Sequence, residues 1–109
     1  MWRERHHFSV AFAILAICVV SADAQSPEMR GEDVLSRHCA MCHAIGRNGT
    51  SPEPKAPPFR TLHLRVPVES LEMHLGNGLL TGHPQMPAFS FQQQDVSAIM
   101  RYLQSIQER

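Results

Sequence analysis

Near the C-terminus, Val96, Ile99, Met100, Leu103 and Ile106 recur at three- and four-residue steps. That spacing puts them on one face of an α-helix. Ser90, with Gln93 three residues on, offers a capping box for its start, and a start two residues later fits as well. Val68, Leu71 and Leu75 spell a second apolar face. They predict a helix from about Pro67 to Leu75, stopped by Gly76-Asn77-Gly78. Upstream, Ser26-Pro27 reads as an N-cap followed by proline at the first helical position, and Glu28 suits the positive helix end. A helix is expected from there to about Cys39, with Val34 and Leu35 facing inward. Gly31 in its middle costs about 1 kcal/mol relative to Ala, which close approach of another helix would justify. Ala44 to Pro58 holds Gly46, Asn48-Gly49, Pro52, Pro54 and Pro57-Pro58, and fits neither helix nor strand. Thr81 to Phe89, with Gly82, Pro84 and Pro87, is a loop. No alternating strand pattern occurs, so the expected class is all-α with three or more helices.

The N-terminal stretch follows another pattern. Trp2 to His7 is basic, Phe8 to Val20 is an apolar run, and Ala22-Asp23-Ala24 places small residues at the A-x-A spacing. This is the layout of a secretory signal, with cleavage expected after Ala24. The domain boundaries are therefore 1–24 for the signal and 25–109 for one folded domain, with a periplasmic location. The apolar run falls short of the roughly 20 residues of a membrane span. The alternative is an uncleaved anchor in the inner membrane. A lipoprotein reading of Cys18 is disfavoured by the bulky Ile17, so Cys18 is a small hydrophobe of that run.

Composition narrows the function. The 109 residues carry ten Lys and Arg against ten Asp and Glu, a net charge of zero. The charges are mixed, so neither nucleic acid nor an anionic membrane surface is an expected partner. A domain this small usually needs a staple. Its two cysteines, Cys39 and Cys42, are too close in sequence for a disulfide loop of any entropic value. Something that both cysteines hold must serve instead.

Cys39-Ala40-Met41-Cys42-His43 is C-x-x-C-H, the signature of covalent haem attachment. Two intervening residues let one tight turn present both thiols to the vinyl groups along one porphyrin edge. The next residue turns its imidazole to the iron. A thiol–disulfide redox motif would want a βαβ context, which is absent. A zinc site would want a second cysteine pair or an H-x₃₋₅-H pair, and neither follows.

The iron's other axial position needs a donor. Met41 lies inside the attachment turn, Met29 near the chain start, Met73 on a helix flank, and Met100 on the apolar face of the last helix. Met86 sits in Gly82-His83-Pro84-Gln85-Met86-Pro87, a loop with no helical face to explain it. Prolines on both sides restrict its backbone. Met86 is the expected ligand and His83 the alternative, since imidazole also binds haem iron; a thioether would favour Fe(II) and raise the potential.

With these features on the page, the chain resembles a small bacterial class I cytochrome c over almost all of residues 25–109. The resemblance rests on the first helix running into Cys39-Ala40-Met41-Cys42-His43, the segment Ala56-Pro57-Pro58-Phe59, the late Met86-Pro87, and Arg101-Tyr102-Leu103 in the final helix. It implies one covalently attached haem c whose iron is held by His43 and Met86. It also implies that Gly31 and Leu35 pack against Ile99 and Tyr102, and that the Pro57 carbonyl accepts a hydrogen bond from His43. The implied function is a periplasmic electron carrier between redox partner proteins, or the small haem subunit of a dehydrogenase or oxidase, with no small-molecule substrate. An open sixth position would instead give a gas sensor or enzyme. The mitochondrial-type tryptophan near the propionates is missing, which leaves Arg60 and Arg65 as the cations within reach. With Lys55 the only lysine, lysine-rich docking does not carry over. The expected docking face is mostly apolar, formed by Ala44, Ile45, Leu79, Leu80, Pro84, Gln85 and Pro87.

Overall fold

The computed structural model describes residues 25–78 and 85–109. Its elements among those residues are three α-helices and two 3₁₀ segments, with no strand. Helix α1 spans Pro27–His38, α2 Leu71–Asn77 and α3 Gln93–Ile106. The 3₁₀ segments are Phe59–Leu64 and Val68–Ser70. The all-α expectation is met.

Helix α1 begins as the sequence indicates: Ser26 is the N-cap and its hydroxyl accepts from the Met29 amide at 3.2 Å. Its main partner is α3. The two cross at Gly31, where a Cβ would overlap the Ala98 carbonyl oxygen and lie 2.9 Å from Tyr102 Cβ. The mid-helix glycine thus permits backbone-to-backbone contact that any side chain would block. The crossing partners of Gly31 are Ala98 and Tyr102, while Ile99 is fully buried in the core beside Leu35. Arg30 and Asp95 pair across the same crossing at 2.9 Å. Being exposed, that pair contributes at most about 1 kcal/mol.

The core is built from Val34 and Leu35 of α1, Val68 and Leu75, and Val96, Ile99, Met100, Leu103 and Ile106 of α3. Each such side chain contributes about 1.5–3 kcal/mol when fully buried. Among the described residues, no helix is long and apolar enough to cross a membrane.

Two boundaries differ from expectation, and a third is decided between two expected starts. The segment from Pro67 opens as a 3₁₀ turn and becomes α-helical only at Leu71, continuing to Asn77. The Ser90 capping box does not form. The Ser90 hydroxyl donates to the Gly76 carbonyl at 2.9 Å, satisfying the end of α2, and Gln92 takes the N-cap position of α3, the later of the two expected starts. Phe59–Leu64 coils into a 3₁₀ segment that no periodicity announced.

Replacing Gly31 by Ala tests the crossing. Helix propensity alone would make it stabilising. Overpacking against Ala98 and Tyr102 is expected to win, lowering stability by roughly 1–3 kcal/mol. Denaturant unfolding of the haem-bound protein measures it, and a stabilised variant would show that the helices do not meet there.

Candidate functional site

The end of α1 passes directly into a tight turn. The Cys39 amide donates to the Leu35 carbonyl at 2.8 Å. The amides of Cys42 and His43 then donate to the Cys39 carbonyl at 3.2 and 2.9 Å. One backbone oxygen therefore organises all three side chains of the motif. Both thiols are free; Cys39 is half-buried against the core and Cys42 is exposed. Burial pushes the Cys39 thiol up to about 11, and the adjacent Cys42 adds to the rise.

His43 is half-buried and fixed on two sides. Its Nδ1 lies 2.8 Å from the Pro57 carbonyl oxygen. A carbonyl only accepts, so the hydrogen sits on Nδ1 and the Nε2 lone pair is left for a metal. The Phe59 ring packs on the imidazole with centroids 4.7 Å apart and planes inclined by 33°.

The irregular segment after the motif is pinned by scattered bonds. The Phe59 amide donates to the Ala44 carbonyl at 2.9 Å, and the Glu53 amide to the Cys42 carbonyl at 3.1 Å. The buried Ser51 hydroxyl accepts from the Ala44 amide at 2.9 Å. Tyr102 of α3 donates its hydroxyl hydrogen to the Ile45 carbonyl at 2.8 Å. Burial raises the Tyr102 phenol above its ordinary value; Glu32 adds to this and Arg47 opposes it. The group therefore stays a donor at neutral pH.

Met86 is half-buried in the segment leading into α3. Beyond it, the Phe91 amide donates to the Leu75 carbonyl at 2.9 Å. The rings of Phe89 and Phe91 stack with centroids 5.8 Å apart, and His38 meets both edge-on. The other methionines fall where the sequence put them. Met100 is buried in the core, Met29 and Met73 are exposed, and Met41 projects from the attachment turn at 88% exposure. His83, together with Leu79, Leu80 and Pro84, lies outside the described residues.

Two thiols on one turn and an imidazole presenting Nε2 form a donor set that fits haem c. The comparisons agree. Residues 26–103 match the family model described as cytochrome c oxidase, cbb3-type, subunit III. The chain belongs to this cytochrome c family. It is also 28% identical over 94 residues to cytochrome c-552 of Bradyrhizobium diazoefficiens, covering 85% of this chain and 88% of that protein. No solved structure matches. The protein is thus a haem-binding, electron-transferring class I cytochrome c with covalently bound haem c and its iron.

Two expectations about this cytochrome need correction. Arg60 is already occupied: its Nε pairs with Glu108 at 3.0 Å and its guanidinium donates to the Gly49 carbonyl at 2.8 Å. Of the two arginines considered for the propionates, only Arg65 is left exposed. Ala44 is buried and cannot belong to a docking face, whereas Gln85 and Pro87 are exposed. Sequence reasoning missed Ser51, which sits in a segment without periodicity, and it singled out Phe59 only as part of Ala56-Pro57-Pro58-Phe59, without its role against His43.

The haem should double as the domain's staple. Replacing both Cys39 and Cys42 by Ser is expected to leave a chain without a cooperative thermal melt, measured by circular dichroism. A haem-free double variant with a native-like transition would refute this.

Proposed function

We propose that this cytochrome is a periplasmic one-electron carrier. It holds a single haem c through Cys39 and Cys42, with His43 and Met86 as the axial ligands. Residues 1–24 act as its secretory signal and 25–109 as the working domain. The observation that carries the reading is the 2.8 Å bond between His43 Nδ1 and the Pro57 carbonyl, which leaves Nε2 free to bind iron.

When bound, the haem supplies an iron that takes up and gives up one electron, alternating between Fe(II) and Fe(III). The chain's residues prepare that step. Cys39 and Cys42 anchor one porphyrin edge to the rigid end of α1. Pro57 and Phe59 hold the imidazole in one orientation, so changing the redox state requires little rearrangement there. The carbonyl of Pro57 also raises the basicity of His43. The soft thioether of Met86 favours Fe(II) and opposes that effect. Partners are other redox proteins. The name of the matching family raises a second form of the same role, a haem subunit held permanently by an oxidase.

Met86→Ala tests the ligand assignment. The parent protein should show a low-spin, six-coordinate spectrum that is unchanged by carbon monoxide. The variant should bind carbon monoxide when reduced and have a lower reduction potential. An unchanged oxidised spectrum would reassign the ligand to His83 or another donor. A parent protein that binds carbon monoxide readily would favour the sensor or enzyme.

Docking is expected to depend little on salt. The chain has no net charge, and steering needs a concentrated patch of one sign. The rate of electron transfer to a physiological partner, followed across a salt series, should stay nearly flat. A steep fall between low and moderate ionic strength would show that charge complementarity governs the encounter.

A further inference from the structure

Gln107 lies just past α3, beyond the residues 26–103 that the family model matches. Its carboxamide makes four hydrogen bonds. Nε2 donates to the Phe59 carbonyl at 2.7 Å and to the Leu103 carbonyl at 2.8 Å. Oε1 accepts from the His63 amide at 3.0 Å and faces His63 Nδ1 at 3.0 Å. The amide has only one workable orientation: the two carbonyls need a donor and the His63 amide needs an acceptor. A neighbouring strap runs parallel to it, in which the Glu108 amide donates to the Arg60 carbonyl at 2.9 Å.

The segment gripped in this way is the one that touches His43. Pro57 accepts from the imidazole, and the Phe59 ring packs on it. The Phe59 amide donates to Ala44, the residue after His43. Gln107 holds the far side of Phe59 and ties it to the end of α3. Without it, the Phe59 carbonyl would lose this donor, and residues 57–59 would be attached to α3 through the buried Phe59 ring and the Arg60–Glu108 contacts.

We propose that Gln107 is a positioning residue for the proximal histidine: through Phe59 it holds the Pro57 carbonyl against His43 Nδ1 and so sets how strongly the imidazole donates to iron. The inference rests on the reading of His43 as an axial ligand. A firm bond from Nδ1 to a carbonyl gives the ring partial anionic character, which favours Fe(III). Loosening it should raise the reduction potential.

The test uses the haem-bound protein and three variants. Gln107→Leu removes all four bonds. Gln107→Glu keeps the side-chain length and the acceptor for His63 but loses the donor to Phe59. Ile106→Val trims the core one residue away without touching the Phe59 carbonyl. Two quantities are read: the reduction potential, and the solvent exchange of the His43 Nδ1 hydrogen by NMR in the reduced protein. Gln107→Leu should raise the potential, and both Gln107 variants should speed that exchange about tenfold, the change in local opening that one ordinary hydrogen bond controls. Ile106→Val should lower the melting temperature and leave both quantities at their parent values. The proposal is overturned if the Gln107 variants lose stability while potential and exchange stay at parent values. It is equally overturned if Ile106→Val shifts them as much. The parent spectrum separates this from an error in the ligand reading. An axial imidazole has ring protons strongly shifted by the haem, and unshifted His43 protons would refute the assignment itself.

Discussion

A carbonyl oxygen can only accept a hydrogen bond, and the one on Pro57 therefore decides which ring nitrogen of His43 is left for a metal. With Nδ1 occupied at 2.8 Å, only Nε2 is left to act as a donor. The rest of the fold keeps that carbonyl in place. Residues 44–58 have no regular structure to hold them, and a loop of that length closes only at an entropic cost. Ser51 beneath Ala44, the Phe59 amide on the Ala44 carbonyl, and Tyr102 on the Ile45 carbonyl together replace a ladder. Each is worth only about 1 kcal/mol. Their value is that they all act on the residues that follow His43.

Those anchors require α3 to sit in one register against α1. Tyr102 reaches Ile45 only because its helix crosses α1 at Gly31, with the Ala98 backbone in contact. One missing side chain in α1 thus sets the position of a hydroxyl that stabilises the loop after the attachment turn. The glycine's cost in helix propensity, about 1 kcal/mol, is offset by the apolar area the close crossing buries.

How far this was legible from the sequence varied with the range of each interaction. C-x-x-C-H is readable because its chemistry lies within five consecutive residues organised by a single carbonyl. Helix α3 is readable because five of its seven buried residues recur at three- and four-residue steps. Gly31 signalled a close approach, and the structure places Tyr102 there as expected, with the Ala98 backbone nearer still. Ser90 misled because a hydroxyl that suits a cap serves a carbonyl fourteen residues upstream equally well. Arg60 misled similarly, since its partners Gly49 and Glu108 lie 11 and 48 residues away. Ser51, Phe59 and Gln107 act through backbone atoms at long range, and such pairings leave no spacing to read.

The end of α1 is where the two halves of the site meet. Cys39 opens the turn that carries both thiols and His43. His38, the last residue of α1, packs against Phe89 and Phe91, which follow Met86 in sequence. The last residue of α1 and its C-cap thus stand next to both proposed axial ligands in the chain's path, one through aromatic edges and the other through the backbone. The two braces differ in kind. On the His43 side, hydrogen bonds at Ala44, Ile45, Pro57 and Phe59 restrict the chain. On the Met86 side, the described anchors are the Ser90 hydroxyl, the Phe91 amide and the aromatic cluster, all C-terminal to the methionine. Aromatic contacts of this kind contribute about 0.5–1.5 kcal/mol each and tolerate sliding better than a hydrogen bond does.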